Sequence, residues 1–200
     1  MILPGKVRRN FDLNRRADTR AAADSRGMLN GQARPELARM RFGYADVGRT
    51  GCESIAVYNV LRLLDRPRPL PDIIRDMERG GYLRMGGHLG AVPYFEPLLR
   101  RYSLRSRIIS PSRLRMEERK GTVEASGAYL IVIWNSRYRP LKGLHTFAAS
   151  RSSAGWEVFN RFNNDESSRH YARLDDMLSG GQSVGAFLVI YRVRRLEERP

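Results

Sequence analysis

The chain has 200 residues, 42% hydrophobic and 28% charged, a length and balance that fit one globular domain with or without a tail and exclude collagen-like, low-complexity and membrane-bundle readings. No apolar run approaches the ~20 residues that span a bilayer, and the start MILPGKVRRNF has no apolar segment of signal length. No membrane span and a cytoplasmic location are therefore expected, with signal-independent export as the alternative.

The formal net charge is +15, and of the 36 basic residues only Lys6, Lys120 and Lys142 are lysines, leaving 33 arginines. A polyanionic partner would explain this skew. Codon bias would explain it equally, because the arginines are scattered and form no long block.

Residues 1–43 carry ten basic residues against four acids and few apolar ones. They read as a basic arm, poorly ordered or partly helical, that could bind nucleic acid or an acidic partner weakly. A domain is expected over 44–193, followed by a charged tail at 194–200.

From Thr50 the chain turns strongly helical, with Ile55, Ala56, Val60, Leu63 and Leu64 forming an apolar stripe that Pro67 and Pro69 end. Thr50 and Glu53 have the spacing of a capping box, which puts Cys52 in the first helical turn. There the helix dipole and Arg49 would lower its thiol pKa below the free value of ~8.5. As the only cysteine, Cys52 excludes an intramolecular disulfide or a cysteine-cluster metal site and is either a buried core thiol or a nucleophile.

A short helix is expected over Pro71–Arg79, then a loop with Gly80-Gly81 and Gly86-Gly87, a helix from Val92 to Tyr102 and a weaker one from Pro111 to Arg119. The period then changes. Strands are expected at Ala128–Trp134, Leu144–Ser150, Trp156–Phe162 and Ala186–Val193, with a short helix at Arg173–Leu178. Helices first and strands second is the α+β order, a helical part packed on an antiparallel sheet.

Among His88, His145 and His170, His145 is the best candidate base, because it sits in an otherwise apolar strand where an ionisable ring needs a partner. A hairpin would bring Asn160 beside it, so that the amide oxygen holds the ring tautomer. Asn163, Asn164 and Asp165 are alternatives for that role. No Gly-rich phosphate loop, EF-hand or HExxH occurs, so no cofactor or metal is expected.

The helix GCESIAVYNVLRLL, the segment GGHLGAVPYFEPLL, the strand GLHTFAA and the strand WEVFN, in this order, resemble the papain-like cysteine peptidases. The likeness is to compact bacterial peptidases related to the domain that processes bacteriocin leaders, and it covers about Tyr44 to Val193. It implies Cys52 as nucleophile, His145 as general base and acid, and Asn160 as orienter. The family's oxyanion-hole glutamine is replaced here by Asp46, which when ionised cannot donate a hydrogen bond. Asp46, Thr50 and Gly51 thus line the expected oxyanion region.

The expected function is a cysteine peptidase or amide hydrolase working through a thioester acyl-enzyme on a peptide or protein substrate. The alternatives are an acyltransferase or transglutaminase, or an inactive basic binding module.

Overall fold

The computed structural model describes residues 2–83, 95–125, 127–136, 138, 143–179 and 185–196. Helix α1 (Pro4–Asn14) starts at a proline already set for helical φ, then buries Val7, Asn10 and Asn14. A short turn α2 (Pro35–Ala38) leads into a two-stranded hairpin of β1 (Arg41–Phe42) and β2 (Ala45–Asp46). Gly43, at φ 64°, makes the tight turn between them.

Residues 2–43 are therefore not a free arm. Ala22, Met28, Leu29, Leu37, Met40 and Phe42 belong to the main core. The expected domain boundary after residue 43 falls inside the β1–β2 turn, and α1 packs on a later helix. Ile2 and Val7 are buried as well, while Leu3 and Leu13 stay exposed. Amides do the rest: Asn14 grips the backbone of Arg41 through both its nitrogen and its oxygen, and Asn10 Nδ2 donates to Gly43 O. Composition alone discounted a segment whose docking relies on buried asparagines.

The next elements are α3 (Val47–Thr50) and the central helix α4 (Cys52–Leu63). The apolar stripe expected for α4 proves wider, since every residue from Cys52 to Leu61 is buried, as in a helix covered on all sides. After α5 (Leu70–Arg79) come α6 (Glu96–Arg101), the strand β3 (Leu104–Ile109) and α7 (Pro111–Arg119), whose N-cap Ser110 accepts from Arg113 N at 3.2 Å.

The remaining strands are β4 (Ala128–Trp134), β5 (Leu144–Ser152), β6 (Gly155–Phe159), β7 (Arg169–Tyr171) and β8 (Ala186–Arg195), with a 3-10 turn at Leu174–Leu178. Among the described residues they form one antiparallel six-stranded sheet of order β3-β8-β4-β5-β6-β7. The fold is α+β, as expected. Arg194 and Arg195 extend β8, so the charged tail begins later than residue 194.

Both faces of the sheet are covered. Leu130, Val132 and Ala148 face the helical core around α4, and Tyr129, Ile131, Ile133 and Phe147 face a second core closed by Leu114, Leu174 and Met177. This is why β4 reads as a continuous apolar run and not as an alternation. The parity of β5 also fixes its ends: Thr146 and Ala148 lie on the α4 face, whereas His145 shares the other face with Phe147, its ring 6.0 Å away.

Candidate active site

Gly51 provides the close turn before α4, since a Cβ there would meet Val47 Cγ1 at 2.5 Å and Val47 O at 2.7 Å. It occupies the N-cap position of the helix that Cys52 opens. The expected capping box does not form: Thr50 ends α3, and its Oγ1 donates to Asp46 O at 3.2 Å. Glu53, the intended partner in that box, instead accepts from the Cys52 thiol, with Sγ 3.1 Å from Oε2.

This changes the thiol's chemistry. Burial pushes the Cys52 pKa well up, and the neighbouring Glu53 carboxylate, by its charge and its hydrogen bond, pushes the same way. Main-chain N–H groups of Thr146 and Glu53 favour the thiolate but do not prevail. The lowering expected from the helix start and Arg49 is overturned, because a dipole effect of about 0.3–1 kcal/mol is smaller than the cost of burying a charge beside a carboxylate.

His145 is also buried and neutral. Its pKa falls to about 4, first through burial and against the pull of the Asn160 carbonyl; nearby Arg161 lowers it further. Nε2 lies 2.7 Å from the main-chain oxygen of Asn160, so Nε2 carries the proton and Nδ1 has the lone pair. No hydrogen bond joins His145 to Cys52, although Cys52 meets β5 at Thr146, the next residue along.

Asn160 comes beside His145, as the hairpin expectation required, but by a different atom. The β5–β6 ladder ends at Ala148↔Phe159, and Asn160 turns away at φ 58°, aiming its carbonyl at the ring. Its side-chain amide points into the N-terminal segment, where Oδ1 accepts from Gln32 N at 3.0 Å and Nδ2 faces Gln32 Oε1 at 3.4 Å. Its main-chain N–H donates to Asn30 Oδ1 at 2.8 Å. The side-chain orienter role is thus corrected to a main-chain one.

Of the alternatives, Asp165 is buried and bonded to Phe162 N and Arg169 Nε, and the Asn163 carbonyl accepts from Ala33 N. Neither these two nor Asn164 bonds the ring. Asp46 is half exposed, paired with Arg41, and offers no donor to an oxyanion. His170 is exposed near Glu157. His88 and Gly86-Gly87 lie outside the described residues, while Gly80-Gly81 ends α5.

Two residues of this region escaped sequence reasoning. The spacing from Thr50 points Glu53 to the cap and away from the thiol it bonds. Gln32, whose Nε2 also donates to Gly48 O at 3.1 Å, ties Asn160 to the segment before Cys52, and it sits in the stretch whose composition reads as a basic arm. The described residues contain no cluster of three or more metal-binding side chains, and no described helix is long and apolar enough to cross a membrane.

Compared with protein-family models, curated proteins and solved structures, the chain matches none.

Proposed function

We propose that the chain is a papain-like cysteine hydrolase acting on a peptide or amide, resting with its nucleophile protonated. One observation carries the reading: a cysteine in the first turn of a buried helix abuts the strand at Thr146, one residue from a histidine whose Nε2–H is held by a main-chain carbonyl. The Nε2–H tautomer leaves Nδ1 as the acceptor a general base for a thiol needs, and because strand alternation sets the resting ring on the Phe147 face, that ring must turn towards Cys52 before it takes the proton.

In the reaction the thiol leaves Glu53 and gives its proton to His145 Nδ1, and Sγ adds to the substrate carbonyl. His145 returns that proton to the leaving amine as the C–N bond breaks, giving a thioester. Water then adds to the thioester with His145 accepting its proton, the C–S bond breaks, and sulfur recovers the proton. The main-chain N–H groups of Glu53 and Thr146, already directed at sulfur, stabilise the anion on the way. An amine in place of water makes the same steps an acyl transfer.

The test is incubation with p-nitrophenyl esters and short peptide anilides, followed by intact-mass measurement. The expected result is a burst of leaving group stoichiometric with protein and a Cys52 acyl adduct that Cys52→Ser lacks. Absence of burst and adduct from both the native chain and Glu53→Gln would overturn the proposal in favour of a non-catalytic fold.

A further inference from the structure

On the opposite side of the sheet from β7, the first two strands pair arginine with arginine. The β3–β8 register sets Arg105 opposite Arg194 and Arg107 opposite Arg192. Strand alternation puts all four on the face shared by Ile109 and Ile190. Neighbours along a strand are then about 6.8 Å apart and neighbours across it about 4.8 Å. Like charges directly opposite one another cost stability.

Neutralisation is partial. Arg192 pairs with Glu117, and Arg194 with Glu124. Arg105 and Arg107 are exposed and have no ion pair or hydrogen bond among the described residues. A groove of about 490 Å³ runs over these side chains, and a smaller hollow of about 200 Å³ continues it towards Ser110 and Arg113, sharing Arg107 and Arg192.

Protection of an open sheet edge explains charge on β3. It does not explain Arg192 and Arg194, because β8 lies between β3 and β4 and is not an edge.

We infer that this arginine-paired face of β3 and β8 binds the phosphate backbone of single-stranded nucleic acid. A peptide strand added to the free edge of β3 would run in the plane of the sheet and reach Arg105 and Arg107 only. A chain lying across the face reaches both rows. A nucleic-acid backbone carries a charge at every unit, whereas an extended acidic peptide turns alternate side chains away. Arginine's planar fork suits phosphate oxygens, and the +15 net charge draws a polyanion in from a distance. No aromatic side chain lines the groove, so base stacking contributes nothing and recognition is independent of sequence.

The experiment measures anisotropy of a labelled oligothymidylate of about fifteen nucleotides across salt. Three proteins are compared: the native chain, Arg105→Gln/Arg107→Gln, and Arg8→Gln/Arg9→Gln, which removes the same charge from the exposed side of α1. The β3 variant is expected to bind more weakly, with a slope of log K against log salt shallower by about 1.4, at roughly 0.7 per lost phosphate contact. The α1 variant should stay near native. Equal losses in the two variants, or salt-independent binding, would overturn the site. A polyglutamate peptide of equal charge that competes better than unlabelled oligothymidylate would overturn the ligand assignment in favour of an acidic peptide.

Discussion

Cys52 and His145 are buried and held neutral, each bonded to a neighbour, whereas on β3 and β8 four guanidinium groups stand in like-charge register, Arg105 and Arg107 exposed and Arg192 and Arg194 paired with carboxylates. Both regions belong to one sheet. The first spends desolvation to keep a proton on sulfur and off the ring. The second keeps its charges and accepts their repulsion, which an anion would relieve. Burial and not residue type decides which way a titratable group goes.

The comparison breaks most completely if its buried half loses its cover. Removing residues 2–41 deletes Leu29, Leu37 and Met40 from the core and the Asn30 and Gln32 partners of Asn160. The truncated chain is expected to lose its cooperative thermal transition by circular dichroism. A melt as sharp as the full chain's would show that the segment is only draped on the core.

The pH dependence of stability sharpens the comparison. The folded-state pKa of His145 is about 4 against an ordinary 6.5, so the unfolded chain binds the extra proton first and stability falls as pH drops from 6.5 towards 4. The full span is on the order of 3 kcal/mol. Glu78, held by Asn10 Nδ2 and Gly43 N but buried, is raised to about 7 from 4.5, so it acts the other way and stability falls as pH rises from 4.5 through 7. Urea melts should show His145→Gln flattening the acid limb and Glu78→Gln flattening the neutral one. An unchanged acid limb in His145→Gln would mean that the ring is not held neutral.

A smaller effect is expected at Asn160. Asn160→Ala removes the amide that satisfies Gln32 N and leaves alanine at φ 58°, a cost of about 2 kcal/mol from the lost buried bond and the strained backbone. The ring contact survives, because the main-chain carbonyl makes it. The Nε2–H tautomer, read by nitrogen NMR shifts, should therefore be unchanged while the melting temperature drops. A tautomer change would return the orienting role to the side chain.

What the sequence made legible followed from periodicity. The stripe of α4, the proline that opens α7 and the apolar runs of β4 and β5 were readable because burial leaves a repeating pattern. Strand β3, LRSRII, escaped because its exposed arginines hide the alternation, and β7 is three residues long. The approach of Asn160 to His145 was legible from the hairpin between β5 and β6. Which atoms meet was not: the carbonyl of Asn160 and the carboxylate of Glu53 took their roles through a left-handed backbone turn and a helix start displaced to Cys52, and neither leaves a residue-type signature.

The most direct test of the central claim, a protonated Cys52 thiol latched by Glu53, is its iodoacetamide alkylation rate from about pH 5 to 10 in the native chain and in Glu53→Gln. The account predicts slow labelling of the native chain at about pH 6, rising only in the alkaline range, and faster labelling with a midpoint shifted to lower pH in Glu53→Gln. Rapid labelling of the native chain at about pH 6 that His145→Ala abolishes would contradict it, because the cysteine would then rest as a thiolate paired with the imidazolium.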